Sequence, residues 1–252
     1  MKRHIFKLSI LFSTIVFGLG IVFTGCDDDP VEPTIEKPDI SINFNHVWEG
    51  ADLEMGKWYV TEPGDSFQSS LNKYHINNIY LVTTEGDDVM VKDWDMISYP
   101  DEGNKNIKLS GVEDKVFNKI KFTIGVEDSL ANYNGELNNL FVDPMYWGMA
   151  NGYINMKVEG RYVKTDKSIG DVYLHIGGYA GDQQTAYVIE LDLAQNTRMA
   201  IGENEININV DLAQFFYNPN DISLQQYNLL HMPGATAVMI SKNIPTMFSV
   251  KQ

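Results

Sequence analysis

Residues 205–210, EININV, alternate acid or amide side chains with isoleucine and valine, and residues 40–47, ISINFNHV, do the same. Successive side chains of an extended chain point to opposite faces, so each segment buries one face and wets the other. Further runs of this kind are HINNIYLVTT (75–84), KIKFTIGV (119–126), YINMKVEG (153–160), DVYLHIGGYA (171–180) and AYVIELDLA (186–194). Turn-forming clusters separate them: EPGD, EGDD, PDEGN, NYNGELNN, GD at 181 and NPND. No helix-length segment lies between the runs, so the pattern predicts an all-β protein, an antiparallel Greek-key β-sandwich. Helix is expected only in short pieces, VDLAQFFYN at 210–218 and GATAVMISKNIPTMF at 234–248, the latter stopped before Pro245. Neither a repeat nor a linker interrupts residues 40–252, which read as one domain.

The chain of 252 residues is long enough for a sizeable core. Its formal net charge of -15 repels phosphate backbones and argues against nucleic-acid binding. Residues 1–25 have the architecture of a secretory signal: basic Lys2, Arg3 and Lys7, an apolar run, then small residues before Cys26. FTGC resembles a bacterial lipobox, with Phe23 where leucine is usual, so Cys26 is the expected lipidation site. Cys26 is also the single cysteine, so no disulfide can form within the chain. Residues 26–39 are rich in acid and proline and read as a tether. CDDD resembles the acidic export signal of Bacteroidetes surface lipoproteins, which implies display on the cell outer membrane.

Familiar catalytic patterns are missing: no phosphate-binding glycine loop, GxSxG elbow, HExxH or cysteine nucleophile, so the expectation is a non-enzyme. Beyond the signal, the histidines are His46, His75, His175 and His231. Lone histidines on strands are more often structural than ligating. Two places rise above this background. In YLHIGG, His175 precedes two glycines that end a strand and admit a close neighbour. In DPMYWGMANGYINMKVEG, Trp147 and Met149 lie two apart, on one face if extended. Thioether, imidazole and indole on a shared rim suit copper, especially Cu(I), whereas the commoner use of Met145, Met149 and Met156 is core filling. A third place is EDSLANYNGELNN, where Asp128, Asn132, Asn134, Glu136 and Asn138 space side-chain oxygens through a loop. Calcium uses such oxygens, but the EF-hand pattern is absent and a solvated loop is the ordinary reading.

Several segments, in order, resemble the MbnP-like family. INFNHVWEGADLEM is similar to its FxHxVxG opening strand, LNKYHINNIYLVTTEGD to LxYYISNIxLxxxDG, and FNKIKFTIGVEDSLANYNGELNN to YxxIxFxIGVDSxxNxxGALDP. MYWGMANGYINMKVEG is similar to MFWTWNSGYIFxKLEG, LHIGGYAG to FHIGGxxG, and MPGATAVMISKNIPTMFSV to xxGxxAxxIAxNxxxMFxV. The resemblance covers roughly residues 41–250. It implies a β-sandwich, periplasmic or surface placement and, in some members, copper held by histidines beside a tryptophan that a di-haem partner protein oxidises to kynurenine. Residue by residue, His175 matches the HIGG histidine and Trp147 the first tryptophan of W-x-W. Met149 stands where the second tryptophan is usual, and Ala150 where Asn, Gln or His is usual. The ligand set this implies is His175 and Trp147, with Met149 as a sulfur ligand and His46 from the first strand completing it. The expected role is copper binding in metal acquisition or handling, with a di-haem cytochrome or an outer-membrane receptor as partner. The rival is a surface binding module for a glycan, peptide or receptor, with the metal site lost and Trp48, Trp58 or Trp94 exposed in a patch.

Overall fold

A computed structural model describes residues 36–101, 105–127, 145–148 and 151–251. Cys26, Met149, Ala150 and the oxygen-rich 128–138 loop, along with the signal and most of the tether, lie outside the described residues. The compact unit spans Glu36–Gln252.

In chain order the strands are β1 (Asp39–Trp48), β2 (Ala51–Asp52), β3 (Trp58–Val60), β4 (Ser66–Thr83), β5 (Asp88–Tyr99), β6 (Asn106–Leu109) and β7 (Val116–Ile124). They continue with β8 (Tyr146–Gly148), β9 (Gly152–Val163), β10 (Ile169–Gly177), β11 (Tyr187–Arg198), β12 (Glu203–Asp211), β13 (Leu229–Leu230) and β14 (Phe248–Val250). A five-stranded sheet has the order β14-β12-β1-β2, with β6 also on β1. A nine-stranded sheet has the order β11-β7-β4-β9-β10-β13, with β3 and β5 on β4 and β8 on β9. The protein is an all-β sandwich. Most pairs are antiparallel, as the short turns require. Two are parallel, β1 with β12 and β10 with β13, and each joins segments far apart in sequence, where no hairpin constrains direction.

Every alternating run lies on a strand. β1 buries Ile40, Ile42 and Phe44, and β10 buries Val172, Leu174 and Ile176. Between the sheets Phe44, Tyr74, Phe122 and Phe248 meet edge to face at centroid separations of 5.6–6.3 Å. Fully burying such a ring contributes about 1.5–3 kcal/mol. The C-terminal helical run forms α1 (Ala235–Ser241) and then a 3-10 turn over Ile244–Met247, with Pro245 in its first turn where a missing N–H costs nothing. A second 3-10 turn, Gln214–Phe216, lies in the other expected helical piece. β5 has no clear alternation, because it pairs along β4 alone and leaves most of its residues half-exposed.

Strand β4 is 18 residues long and organises the larger sheet. β9 pairs with its first half and β7 with its second. Asparagines close the junction where these two meet. Asn77 donates from Nδ2 to the Gly125 carbonyl, and Asn155 accepts from the Val126 amide at 2.9 Å. Asn155 also donates to Thr185 Oγ1 at 2.8 Å, tying β9 to the segment after the HIGG glycines. The outer face of the sheet is thereby fixed around its middle strands.

Candidate metal centre

Alternation on β10 turns Leu174 and Ile176 into the core and His175 to the outer face of the nine-stranded sheet, and the register then shifts at Gly177, which pairs with Ile154. A Cβ on Gly177 would lie 2.6 Å from Trp147 Cζ3 and 2.4 Å from the Tyr153 carbonyl oxygen. The indole of Trp147 therefore lies against bare backbone, and glycine is the residue that admits it. Gly178 follows with φ +132, and a Cβ there would strike the Gln183 carbonyl at 2.2 Å. The two glycines of HIGG thus do separate things: the first receives the tryptophan, and the second turns the chain. Trp147 comes from β8, which folds onto β9 with Tyr146 opposite Tyr153. Those two tyrosine rings are 4.8 Å apart. Trp147 thus packs on the backbone two residues along the chain from His175.

His175 is held from both ring nitrogens. Its Nε2 is 2.7 Å from Glu159 Oε1. A carboxylate only accepts, so Nε2 carries the proton and Nδ1 has the lone pair in the neutral ring. The hydrogen bond to His175 holds the Glu159 carboxyl below its usual range, against the upward push of burial. His175 Nδ1 lies 3.3 Å from Nδ1 of His231. His231 follows β13, whose parallel register sets Tyr173 beside Leu229 and Leu174 beside Leu230. The next pair in that register is His175 and His231. Burial pushes the His231 imidazole down, and the neighbouring His175 adds to that. Tyr173 flanks both rings, 6.3 Å from one centroid and 6.0 Å from the other. Lys157 sits across from His175 on β9 and is itself partnered.

The structure does not bring His46 to this place. His46 points inward from β1, is 5% exposed, stacks on Tyr99 at 4.7 Å and lies 6.0 Å from Tyr74. The nine-stranded sheet lies between it and His175, because inward-facing Tyr74 and outward-facing His175 occupy opposite sides of that sheet. Burial pushes the His46 ring down to about 3, so it is neutral at physiological pH. Neither ring nitrogen has a partner among the described residues, and a pocket of about 360 Å³ opens beside it between β2 and β6. His75, from β4, is fully buried behind Tyr153 and accepts the Trp94 indole N–H at Nδ1, 3.1 Å away. Burial lowers it to about 4. Of the other tryptophans, Trp48 is buried against Tyr59, while Trp58 is 42% exposed.

No group of three or more His, Cys, Asp or Glu side chains converges on one point among the described residues. His231 and Glu159 are neighbours of His175 that strand patterns alone do not reveal. The profile of the MbnP family matches residues 37–237. The chain belongs to the MbnP family. A solved structure of MbnP from Methylosinus trichosporium superposes with a TM-score of 0.56 at 12% identity, covering 86% of this chain and 99% of that one. At that identity the likeness is one of fold. No protein of curated function matches this sequence. The first HIGG glycine is the position at which the YWG strand packs on β10.

Proposed function

We propose that this MbnP-family protein binds copper on the outer face of its larger sheet, with His175 as a ligand and Trp147 as the adjoining aromatic wall. The observation that carries this reading is the seat of Trp147 on Gly177, two residues from a histidine oriented by Glu159. A carboxylate that holds the N–H of one imidazole nitrogen, so that the other presents its lone pair, is the usual outer-shell arrangement of a metal-bound histidine. An imidazole nitrogen beside an electron-rich indole fits copper, and Met149, next but one to Trp147, would add a soft sulfur donor. Copper supplies a one-electron redox centre when bound; the chain's own contribution is to orient His175 and shield it. The protein is then a metal carrier with no turnover of its own. It would be lipid-anchored through Cys26 at the outer membrane, where it handles or acquires copper with a di-haem or receptor partner.

Elemental analysis of the purified chain after loading with Cu(I) tests this. The reading expects one copper per chain and loss of it in His175→Ala. No retained copper, or equal copper in the variant, overturns it.

A further inference from the structure

We propose that His231 is a second metal ligand, and that it and His175 bind one ion through their Nδ1 atoms while Glu159 holds His175 from behind. The identity of the metal rests on the copper reading above; the pairing rests on the geometry of the two rings.

Two imidazole nitrogens bound at about 2.0–2.1 Å to one ion in a tetrahedral arrangement stand about 3.3–3.4 Å apart. The two Nδ1 atoms are 3.3 Å apart. A linear two-coordinate ion would need about 4 Å between them, so the spacing suits a three- or four-coordinate site. The ring planes cross at 85° with centroids 4.8 Å apart, which turns both nitrogens toward one region instead of stacking the rings. Without metal, one Nδ1 must donate to the other, because two lone pairs at this distance repel. Glu159 takes the Nε2–H of His175, so His231 supplies that proton. Metal binding then requires only that neutral His231 moves its proton from Nδ1 to its exposed Nε2. No proton need be released and no ring need turn.

The fold supplies this pair by design of register. β13 is two residues long, and its pairing with β10, extended by the Asn228 carbonyl that accepts from the Tyr173 amide at 2.9 Å, sets His231 beside His175. His231 is exposed where His175 is half-buried, so an ion can enter from the solvent side. The donor set, two neutral imidazoles, suits Cu(I) and Zn²⁺ alike.

Chelator competition with Cu(I), and separately titration with Zn²⁺, distinguishes the two metals on the purified chain. The expected result is that His231→Ala weakens binding at least 100-fold, with thermal unfolding unchanged because the ring is exposed. Glu159→Gln should weaken binding about 10- to 100-fold. X-ray absorption should count two imidazoles in the wild type and one fewer in His231→Ala. If His175→Ala loses copper while His231→Ala binds as the wild type does, the pairing is wrong and the copper reading stands. If Zn²⁺ binds and is lost in both histidine variants while Cu(I) does not bind, the pairing holds and the copper reading falls. If the wild type binds neither ion, both fail.

Discussion

His46 and His175 are both strand histidines followed by a branched apolar residue, Val47 and Ile176, yet the fold gives them opposite conditions. His46 is buried between the sheets, stacked on Tyr99, with burial driving its ring to the neutral form. His175 faces outward, is gripped by Glu159, and has a second histidine within 3.3 Å. What separates them is the parity of a strand position: inward residues join an aromatic core, and outward ones meet polar partners from neighbouring strands. A histidine becomes a metal candidate through what the sheet register places beside it, and its own residue type decides little.

The contrast can be broken from the inside first. Phe122→Ala removes a fully buried ring that meets Phe44 and Phe248, and should cost about 3–5 kcal/mol in denaturant unfolding. Metal binding by the surviving folded fraction should keep its stoichiometry. A loss of metal without loss of stability would show that the two faces are not independent.

Acid should act on the inside next. His46 and His75 have folded-state values of about 3 and 4 against 6.5 when unfolded, so the unfolded chain takes up more protons below pH 6.5. Stability is therefore full above that pH and falls as pH drops toward those values, with each ring costing about 2 kcal/mol by pH 5. His46→Phe, which can keep the stack on Tyr99, should flatten the slope between pH 6.5 and 5. An unchanged slope would mean that His46 is solvated through the pocket beside it.

On the outer face, Gly177→Ala puts a methyl group into the Trp147 ring and the Tyr153 carbonyl. The cost should be about 1–3 kcal/mol, with a change in the tryptophan near-ultraviolet dichroism and weakened metal binding. The smallest effect on stability belongs to His231→Ala, within about 0.5 kcal/mol, since the side chain is exposed. A larger loss in thermal melts would make His231 a structural residue.

Much of this was legible in the residues themselves. Alternation in ISINFNHV, KIKFTIGV and DVYLHIGG marks β1, β7 and β10 and already separates Leu174 and Ile176 from His175. The family motifs imply that Trp147 and His175 share a site; the structure seats Trp147 on Gly177, two residues along the chain from His175. The parity of β1 also turns His46 inward with Phe44, but which side of the other sheet His175 occupies depends on how the two sheets stack, which no local pattern encodes. The His231 contact was not legible, because LLHMPG carries no strand signal and its position depends on a two-residue parallel pairing to a strand more than fifty residues away. Glu159 could be assigned to the outer face of β9, but its meeting with His175 requires the β9–β10 register, with Glu159 opposite Tyr173.

Anomalous X-ray diffraction at the copper edge, on crystals of the Cu(I)-loaded chain, locates the ion directly. One peak is expected on the outer face, within bonding distance of His175 Nδ1. A peak beside His46 between the sheets, or none at His175, would contradict it.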